Sequence, residues 1–248
     1  MSREGTSCAL ATEEILQLLT TGEIEVEGLI PWSSNATLLV TVRQGDRATL
    51  AVYKPQHGER PLWDFPHGTL GMREVASYWV CQALGWDLVP PTVLREGPHG
   101  LGSVQWFVDA QEGAHFFTIQ AEPAYTDDLK RLAAFDIIAN NADRKSGHCL
   151  LDQDGQLWAI DNALAFHAEY KLRTVIWDFI GQPLPLDLVA DLQALEARLS
   201  EDSTMGPALA RLLSEAEVAA FRRRLRQLIT EGRYPEPGPG YPVPFPLV

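Results

Sequence analysis

The sequence is poor in the features that would place it in a special class of protein. Its 248 residues include three cysteines, Cys8, Cys81 and Cys149, whose spacing matches neither a disulfide framework nor a zinc site. No apolar run approaches the roughly 20 residues that a membrane-spanning helix needs, and acidic residues stand where a signal peptide would be apolar. These absences predict a protein of the cytoplasm with no integral membrane association.

Basic residues are also scarce. The chain has 20 Lys and Arg against 33 Asp and Glu, which gives a net charge of −13. The resulting field repels DNA, RNA and anionic membrane surfaces, so we expect no nucleic-acid partner. A nucleotide needs only a local cationic pocket. The apolar share of 46% is ordinary for a globular protein, and the length allows one large domain or two lobes.

Hydrophobic periodicity divides the chain into a β-rich first part and a helical second part. The predicted elements are helix 13–19, strands 36–42 and 48–53, helix 71–84, strands 92–94 and 102–108, helix 127–138, strands 149–152 and 157–161, and helices 186–199 and 214–229. Ser214 and Glu217 have the spacing of a helix capping box. The Pro- and Gly-rich segment from Tyr234 is expected to be extended or mobile. We therefore predict an N-lobe over 1–108, a helical C-lobe over 109–233 and a tail over 234–248.

A strand lysine and a helix glutamate form the first candidate pair. Lys54 ends an apolar strand and precedes Pro55, and Glu74 follows on the next predicted helix. In kinases such a glutamate fixes a strand lysine against the phosphates of ATP. An exposed lysine and a solvated glutamate would explain the same residues, but their order and placement favour the pair.

Two aspartates in the second part form the next candidate pair. Asp143 lies in a polar loop, and Asp161 ends the second strand of the short hairpin that follows. This arrangement brings both carboxylates to one edge of a cleft, one to orient a hydroxyl or accept its proton, the other to bind magnesium. The alternative is that both residues cap turns. The adjacent Arg144 and Lys145 either neutralise a transferred phosphate or are solvated loop charges.

Five segments in order, VYKPQHGERP, REVASYWV, GSVQWFVDA, DIIANNADRKSGHCLL and AIDNALAF, resemble the phosphatidylinositol 3-/4-kinase-like superfamily. They are most similar to the type II phosphatidylinositol 4-kinases and their small bacterial relatives. The resemblance implies an α+β, two-lobed protein-kinase-like fold with a small β-rich N-lobe and a helical C-lobe. It also implies an ATP-dependent kinase that uses Mg²⁺ or Mn²⁺.

The resemblance assigns roles position by position. Lys54 is implied to bind the ATP phosphates with support from Glu74, Asp143 to be the catalytic-loop aspartate, and Asp161 to bind the metal. The phosphate loop falls on Ser33, Ser34, Asn35, Ala36 and Thr37, and the backbone of Gln105, Trp106, Phe107 and Val108 is implied to read the adenine. Asp136 is expected to support the catalytic loop.

The sequence departs from the superfamily pattern at three places. His148 stands where the superfamily usually has a metal-binding asparagine, and it leaves the choice between Mg²⁺ and Mn²⁺ open. The phosphate loop has no glycine, and between Pro55 and Gly71 a short segment replaces the cysteine-rich membrane-anchoring insertion of the type II lipid kinases. Trp63 and Phe65 in this segment either fold over the nucleotide or pack on the N-lobe.

These departures leave more than one function open. The acceptor can be a lipid, a protein or a small molecule, as in aminoglycoside- or toxin-like kinases. The alternative to a kinase is a pseudokinase that acts as a nucleotide-binding regulatory module. His148 and the glycine-free loop favour this alternative, whereas Lys54, Glu74, Asp143 and Asp161 favour an active enzyme.

Overall fold

The computed structural model describes residues 11–31, 35–201 and 204–248. Its helices and strands, in chain order, are α1 (Thr12–Thr21), β1 (Glu23–Leu29), β2 (Leu38–Gln44), β3 (Arg47–Pro55), α2 (Leu70–Ala83), β4 (Thr92–Gly97), β5 (Gly100–Trp106), α3 (Phe116–Ile119), α4 (Thr126–Ala139), β6 (Cys149–Leu151), β7 (Leu157–Ala159), α5 (Leu186–Glu201), α6 (Met205–Ala210) and α7 (Glu215–Glu231). A β-rich first part thus precedes a mainly helical second part, which confirms the α+β prediction.

The first part is built on a five-stranded antiparallel sheet with the strand order β1-β2-β3-β5-β4. The predicted hairpin is confirmed as β2 and β3, which pair from Leu38 with Tyr53 to Gln44 with Arg47. Lys54 therefore sits near the end of β3, paired with Ser103 of β5. The edge strand β1 was not predicted, because most of its residues face solvent and its glutamates hide the alternating pattern.

The largest apolar core extends across the two parts of the chain. Val75, Tyr78 and Cys81 on α2 belong to the same buried cluster as Phe135 on α4 and Phe221 on α7. Helix α2 therefore packs with one face against the C-lobe helices, while its start approaches β5. Gly71 permits that approach, because a Cβ there would lie 3.2 Å from the backbone nitrogen of Ser103.

The segment between β3 and α2 packs between the lobes, next to the cleft. Phe65 is buried in a small cluster with Leu70, Ala142 and Ala163, of which the last two belong to the C-lobe. Trp63, in contrast, is 92% exposed. The alternative that Phe65 packs on the N-lobe alone is therefore wrong, because its cluster includes residues of both lobes. The C-lobe residues that contact the Phe65 ring are distant in sequence, so local spacing could not predict them.

The predicted capping box at the start of α7 is confirmed. The N–H and hydroxyl groups of Ser214 each donate a 2.9 Å hydrogen bond to Glu217 Oε2, and the Glu217 N–H donates to Ser214 Oγ. Gly232 ends the helix in the left-handed region with φ 61°. The short helix α6, which precedes this box, was not predicted.

The tail from Tyr234 is extended and lies against the C-lobe. The Pro242 carbonyl accepts hydrogen bonds of 3.0 Å from the Thr174 N–H and the Trp177 indole. The Leu247 carbonyl accepts one of 2.8 Å from the Ser146 N–H. Backbone carbonyls of the tail thus satisfy donors in and near the predicted catalytic loop. Within the described ranges, none of the helices is both long and apolar enough to cross a membrane.

The Ser214 cap gives a testable contribution to stability. Ser214→Ala removes the acceptor for the Glu217 N–H, so we expect the free energy of unfolding to fall by about 0.5–2 kcal/mol. Urea denaturation measures this change. Ser200→Ala, at an exposed position of α5, is the matched control and should leave stability unchanged or slightly higher. Equal effects of the two substitutions would contradict the assigned cap.

Candidate active site

A cavity of about 530 Å³ contains most of the predicted site residues. Its lining includes Asn35, Thr37, Lys54, Glu74, Gln105, Trp106, Phe107, Val108, His148 and Asp161. Ala36 and Asp143 are not part of this lining. Ser33 and Ser34 lie outside the described residues. The structure therefore gathers side chains from both lobes around a space of the size that suits a small-molecule ligand.

Lys54 lines this cavity and lies between two carboxylates. Its Nζ lies 2.5 Å from Glu74 Oε1 and 3.0 Å from Asp161 Oδ1. The second oxygen of Glu74 accepts a 2.7 Å hydrogen bond from Ser103 Oγ on β5. Helix α2, strand β5 and the loop after β7 thus each contribute one group that fixes the ammonium.

The electrostatics keep Lys54 and Asp161 charged. Burial lowers the pKa of Lys54, but the attraction of Asp161 and Glu74 outweighs burial and raises the pKa above its ordinary value. The Lys54 charge in turn holds the pKa of Asp161 well below its usual range, against the effect of burial. Asp161 also adopts φ 57°, a left-handed conformation that is uncommon for a residue other than glycine. The fold thus holds an ionised carboxylate at the cavity wall.

Asp143 lies beside the cavity and is bonded to a residue of its wall. Its Oδ2 is 3.0 Å from Lys145 Nζ, and Lys145 lines the cavity. Burial raises the pKa of Asp143 and Lys145 opposes this rise. The net pKa is above the ordinary value. A carboxylate with a raised pKa is a better proton acceptor, provided that it is still ionised at the working pH.

His148 faces the same carboxylate as Lys54. Its Nε2 lies 3.5 Å from Asp161 Oδ2, and its Nδ1 accepts a 3.4 Å hydrogen bond from the Lys145 N–H. Burial lowers the pKa of His148 to about 4, and nearby Arg144 and Lys145 act in the same direction. The ring is therefore neutral at physiological pH. Because Nδ1 accepts, the proton lies on Nε2, towards Asp161.

The donor set suits a divalent cation only in part. Within the described chain, no group of three or more His, Cys, Asp or Glu side chains is arranged to hold a metal ion. The ionised Asp161 carboxylate fits magnesium, which takes one or two carboxylates and completes its shell with phosphate oxygens and water. His148 fits as a second ligand only after its ring proton moves from Nε2 to Nδ1.

The segment predicted to read adenine ends the sheet and enters the C-lobe. Strand β5 ends at Trp106, so Phe107 and Val108 lie beyond it. The Trp106 N–H donates to the Pro91 carbonyl at 2.8 Å, and the Phe107 N–H donates to the Leu50 carbonyl at 3.1 Å. These two amides are committed to the protein. Gln105 lies within β5 and is paired on both sides, with β3 and β4. A ligand at this wall would therefore meet backbone groups beyond the strand, at Val108.

The described part of the predicted phosphate loop is held by the segment that follows β3. Asn35 Oδ1 accepts a 2.9 Å hydrogen bond from the Arg60 N–H. The Ala36 N–H donates to the Gly58 carbonyl at 3.2 Å, so this amide does not point to an anion. Thr37 pairs its carbonyl with the Ile30 N–H at 2.9 Å and closes the loop between β1 and β2.

A buried ion pair between Arg144 and Asp136 of α4 supports the catalytic loop. Arg144 and Asp136 have no exposed surface. Arg144 Nε and Nη2 donate to the Asp136 carboxylate at 3.0–3.1 Å, and Thr174 Oγ1 donates to Asp136 Oδ2 at 3.0 Å. Arg144 also donates to the Ile160 carbonyl at 2.8 Å, next to Asp161. Both earlier interpretations of Arg144, as a phosphate ligand and as a solvated charge, are wrong.

Sequence reasoning missed the apolar walls of the cavity. Ile30, Val52, Leu150 and Ile160 line it together with the polar residues. They lie within β-strands or directly after them, in both lobes, and line the same cavity as Lys54 and Asp161. Their β-branched or aliphatic character was visible in the sequence, but it is equally typical of strand residues that pack in a core. No signal in the sequence separated the two uses.

Sequence comparisons place the chain beside two known proteins, although no protein-family model matches it. Protein Rv2133c of Mycobacterium tuberculosis is 38% identical over 262 aligned positions, which cover 92% of this chain and 94% of that protein. Phosphatidylinositol 4-kinase gamma 4 of Oryza sativa subsp. japonica is 30% identical over 152 positions. That match covers 52% of this chain and 26% of the rice protein.

Structure comparisons match two kinases of low sequence identity. The crystal structure of the Golgi casein kinase gives a TM-score of 0.52 at 15% identity, covering 88% of this chain and 75% of that one. The Helicobacter pylori proinflammatory kinase CtkA gives 0.54 at 13% identity, covering 87% and 94%. These matches confirm the two-lobed kinase-like fold, and together with the rice relative they confirm the resemblance to the phosphatidylinositol 3-/4-kinase-like superfamily.

The buried ion pair under the catalytic loop predicts a large stability effect. Asp136→Ala leaves the Arg144 guanidinium buried without its carboxylate, so we expect the free energy of unfolding to fall by about 3–5 kcal/mol. Asp187→Ala is the control, because the pair of Asp187 with Arg131 at 3.1 Å is exposed, and its loss should cost no more than about 1 kcal/mol. Chemical denaturation of both variants decides; similar small losses would refute the support role.

Proposed function

Because the chain belongs to the family of Protein Rv2133c of Mycobacterium tuberculosis and has a kinase-like fold, we propose that it is an ATP-dependent phosphotransferase. It transfers the γ-phosphoryl group of ATP to a hydroxyl group of an acceptor. The observation that carries the proposal is the trio of Lys54, Glu74 and Asp161, which meets at 2.5 and 3.0 Å in a cavity between the lobes. A fixed cation and an ionised carboxylate at one cavity wall are what phosphoryl transfer needs.

The nucleotide is proposed to occupy the cavity with its base at the β5 end. The apolar side chains of Val52, Leu150 and Ile160 suit the faces of a purine ring. The backbone of Val108, beyond the end of β5, is proposed to bind its edge. The phosphates then reach Lys54, whose ammonium is held by Glu74 and neutralises their charge.

The proposed reaction is a nucleophilic displacement at the γ-phosphorus of ATP. A bond forms between the acceptor oxygen and the γ-phosphorus, the bond from the γ-phosphorus to the β,γ-bridging oxygen breaks, and ADP leaves. Asp143 orients the acceptor hydroxyl and takes its proton, and the raised pKa of its carboxyl suits this role. Lys145, 3.0 Å from Asp143 and part of the cavity wall, stabilises negative charge on the transferred group.

A divalent cation is proposed to be held by Asp161, with His148 as an additional ligand. When bound, it supplies charge neutralisation on the phosphate oxygens. Asp161 is suited to this role because its carboxylate is ionised and 44% exposed. Glu74, which is buried and bonded to Lys54 and Ser103, holds the ammonium from one side. Asp161, which contacts the ammonium from the other side, is proposed to bind the cation as well. The acceptor can be a lipid, a protein or a small molecule.

The compartment is proposed to be the cytoplasm. The described cysteines, Cys81 and Cys149, are both buried free thiols. Burial raises the pKa of each thiol to about 12, so neither is a reactive thiolate. Inert, unpaired cysteines are compatible with a reducing environment in which ATP is available.

Turnover of ATP tests the proposal directly. We expect ADP formation with Mg²⁺ or Mn²⁺, and we expect Asp143→Asn and Asp161→Asn each to lower kcat by roughly 10²–10³-fold or more, since each removes a charged group that acts in the transition state. A coupled assay measures ADP release, and mass spectrometry measures autophosphorylation, in which a hydroxyl group of the protein itself accepts the phosphoryl group.

Asp154→Asn, in the exposed turn between β6 and β7, is the matched control and should retain full turnover. Binding of ATP is measured in parallel by calorimetry. Clear ATP binding without turnover in either metal would contradict the enzyme and support a nucleotide-binding regulatory module instead.

His148 gives a separate prediction on metal preference. An imidazole suits Mn²⁺ better than Mg²⁺, whereas an amide oxygen suits Mg²⁺. His148→Asn should therefore favour magnesium. We expect kcat/KM measured with Mg²⁺, divided by kcat/KM measured with Mn²⁺, to rise by up to about tenfold. An unchanged ratio would show that His148 does not contact the cation. His99→Asn, at an exposed position of the β4–β5 turn, is the control.

A further inference from the structure

A buried arginine on α2 connects the Lys54 site to the C-lobe. Arg73 immediately precedes Glu74, and only 1% of its surface is exposed. Its Nη1 donates a 2.7 Å hydrogen bond to the Ala165 carbonyl, and its Nη2 donates to Glu217 on α7. We call these contacts of Arg73 with Ala165 and Glu217 the Arg73 contact. No sequence pattern singled it out.

The Arg73 contact is directional and difficult to replace. A buried guanidinium is tolerated only with a charge partner and hydrogen bonds. Glu217 provides the charge through Oε1, while its Oε2 is fixed by Ser214 at the start of α7. Because both partners are held in place, the guanidinium sets the position of α2 relative to the C-lobe.

The same region of α2 also touches the loops that carry the two aspartates. The Arg73 guanidinium carbon lies 4.9 Å from the centre of the Phe65 ring. Phe65 packs with Ala142, which precedes Asp143, and with Ala163, which follows closely after Asp161. The Arg73 contact therefore lies at the point where α2 meets the catalytic and metal loops.

Helix geometry transmits this position to Glu74. Successive residues of an α-helix point about 100° apart and rise about 1.5 Å, so Arg73 can face the C-lobe while Glu74 faces the cavity. A shift or rotation of α2 that breaks the Arg73 contact also moves the Glu74 carboxylate away from Lys54. We propose that Arg73 is a positioning residue, which keeps the Lys54–Glu74 pair closed by fixing α2 to the C-lobe.

The inference rests on the proposed function and deepens it, and a double-mutant cycle tests it. In the wild-type background, Glu74→Gln should lower kcat/KM for ATP by about tenfold or more. In the Arg73→Met background, which has already displaced α2, the same substitution should cost less than about threefold. Arg73→Lys, which keeps the charge and one hydrogen bond, should restore part of the activity.

If Glu74→Gln lowers kcat/KM by the same factor in both backgrounds, the inference is overturned. Equal factors would mean that Arg73 affects only stability or the folded fraction. Should Arg73→Met fail to fold, Glu217→Gln replaces it in the cycle, since a glutamine still fits the capping box but lacks the charge. Arg226→Met is the matched control. Arg226 lies on α7, as Glu217 does, and its 2.8 Å pair with Glu196 is exposed. It should leave the effect of Glu74→Gln at its wild-type size.

Amide hydrogen exchange separates this inference from the proposed function, because it requires no turnover. Exchange in α2 should rise in Arg73→Met and Glu217→Gln but not in Arg226→Met, and exchange in α5 should stay unchanged. Faster exchange in α2 together with absent ATP turnover would reject the phosphotransferase and keep the role of Arg73 in fixing the helix. Unchanged exchange in α2 would reject that role even in an active enzyme.

Discussion

The rest of the structure depends on one ammonium group held between two carboxylates from different parts of the chain. Lys54 comes from β3, Glu74 from α2 and Asp161 from the loop after β7. The trio is partly buried, so its charges interact strongly and each needs the other two. Strand β3, helix α2 and the loop after β7 must all be correctly positioned for the trio to form. The buried pair of Asp136 with Arg144 supports the loop.

Much of the fold followed from the sequence, because its elements have clear periods and boundaries. The β2–β3 hairpin, α2 and the capped start of α7 were predicted within a few residues. What failed were elements without such a signal. The exposed, glutamate-rich β1 lacks a buried face, and α6 is too short to show a helical period. The segment around Phe65 failed because its partners are distant in sequence.

The site was predictable where residue type and order carry the chemistry. Lys54, Glu74 and Asp161 were predicted from their places at strand ends and on a helix, and the structure brings them together. Other groups depend on the folded surroundings. Arg144 has the sequence context of a loop cation, yet burial pairs it with Asp136, and the Ala36 amide bonds to Gly58. Such competition for partners is decided by three-dimensional neighbours and leaves no trace in local spacing.

The main apolar core has a consequence for how this chain can be divided. Because α2 contributes Val75, Tyr78 and Cys81 to the cluster that holds Phe135 and Phe221, a break after the β5 strand would split one hydrophobic interior into two open surfaces. The first fragment would keep the smaller cluster on its sheet, which includes Val40, Tyr53 and Val104, but it would lose the larger interior that α2 shares with the C-lobe. A lobe exchanged from a relative would therefore have to match this shared interior as well as the cleft.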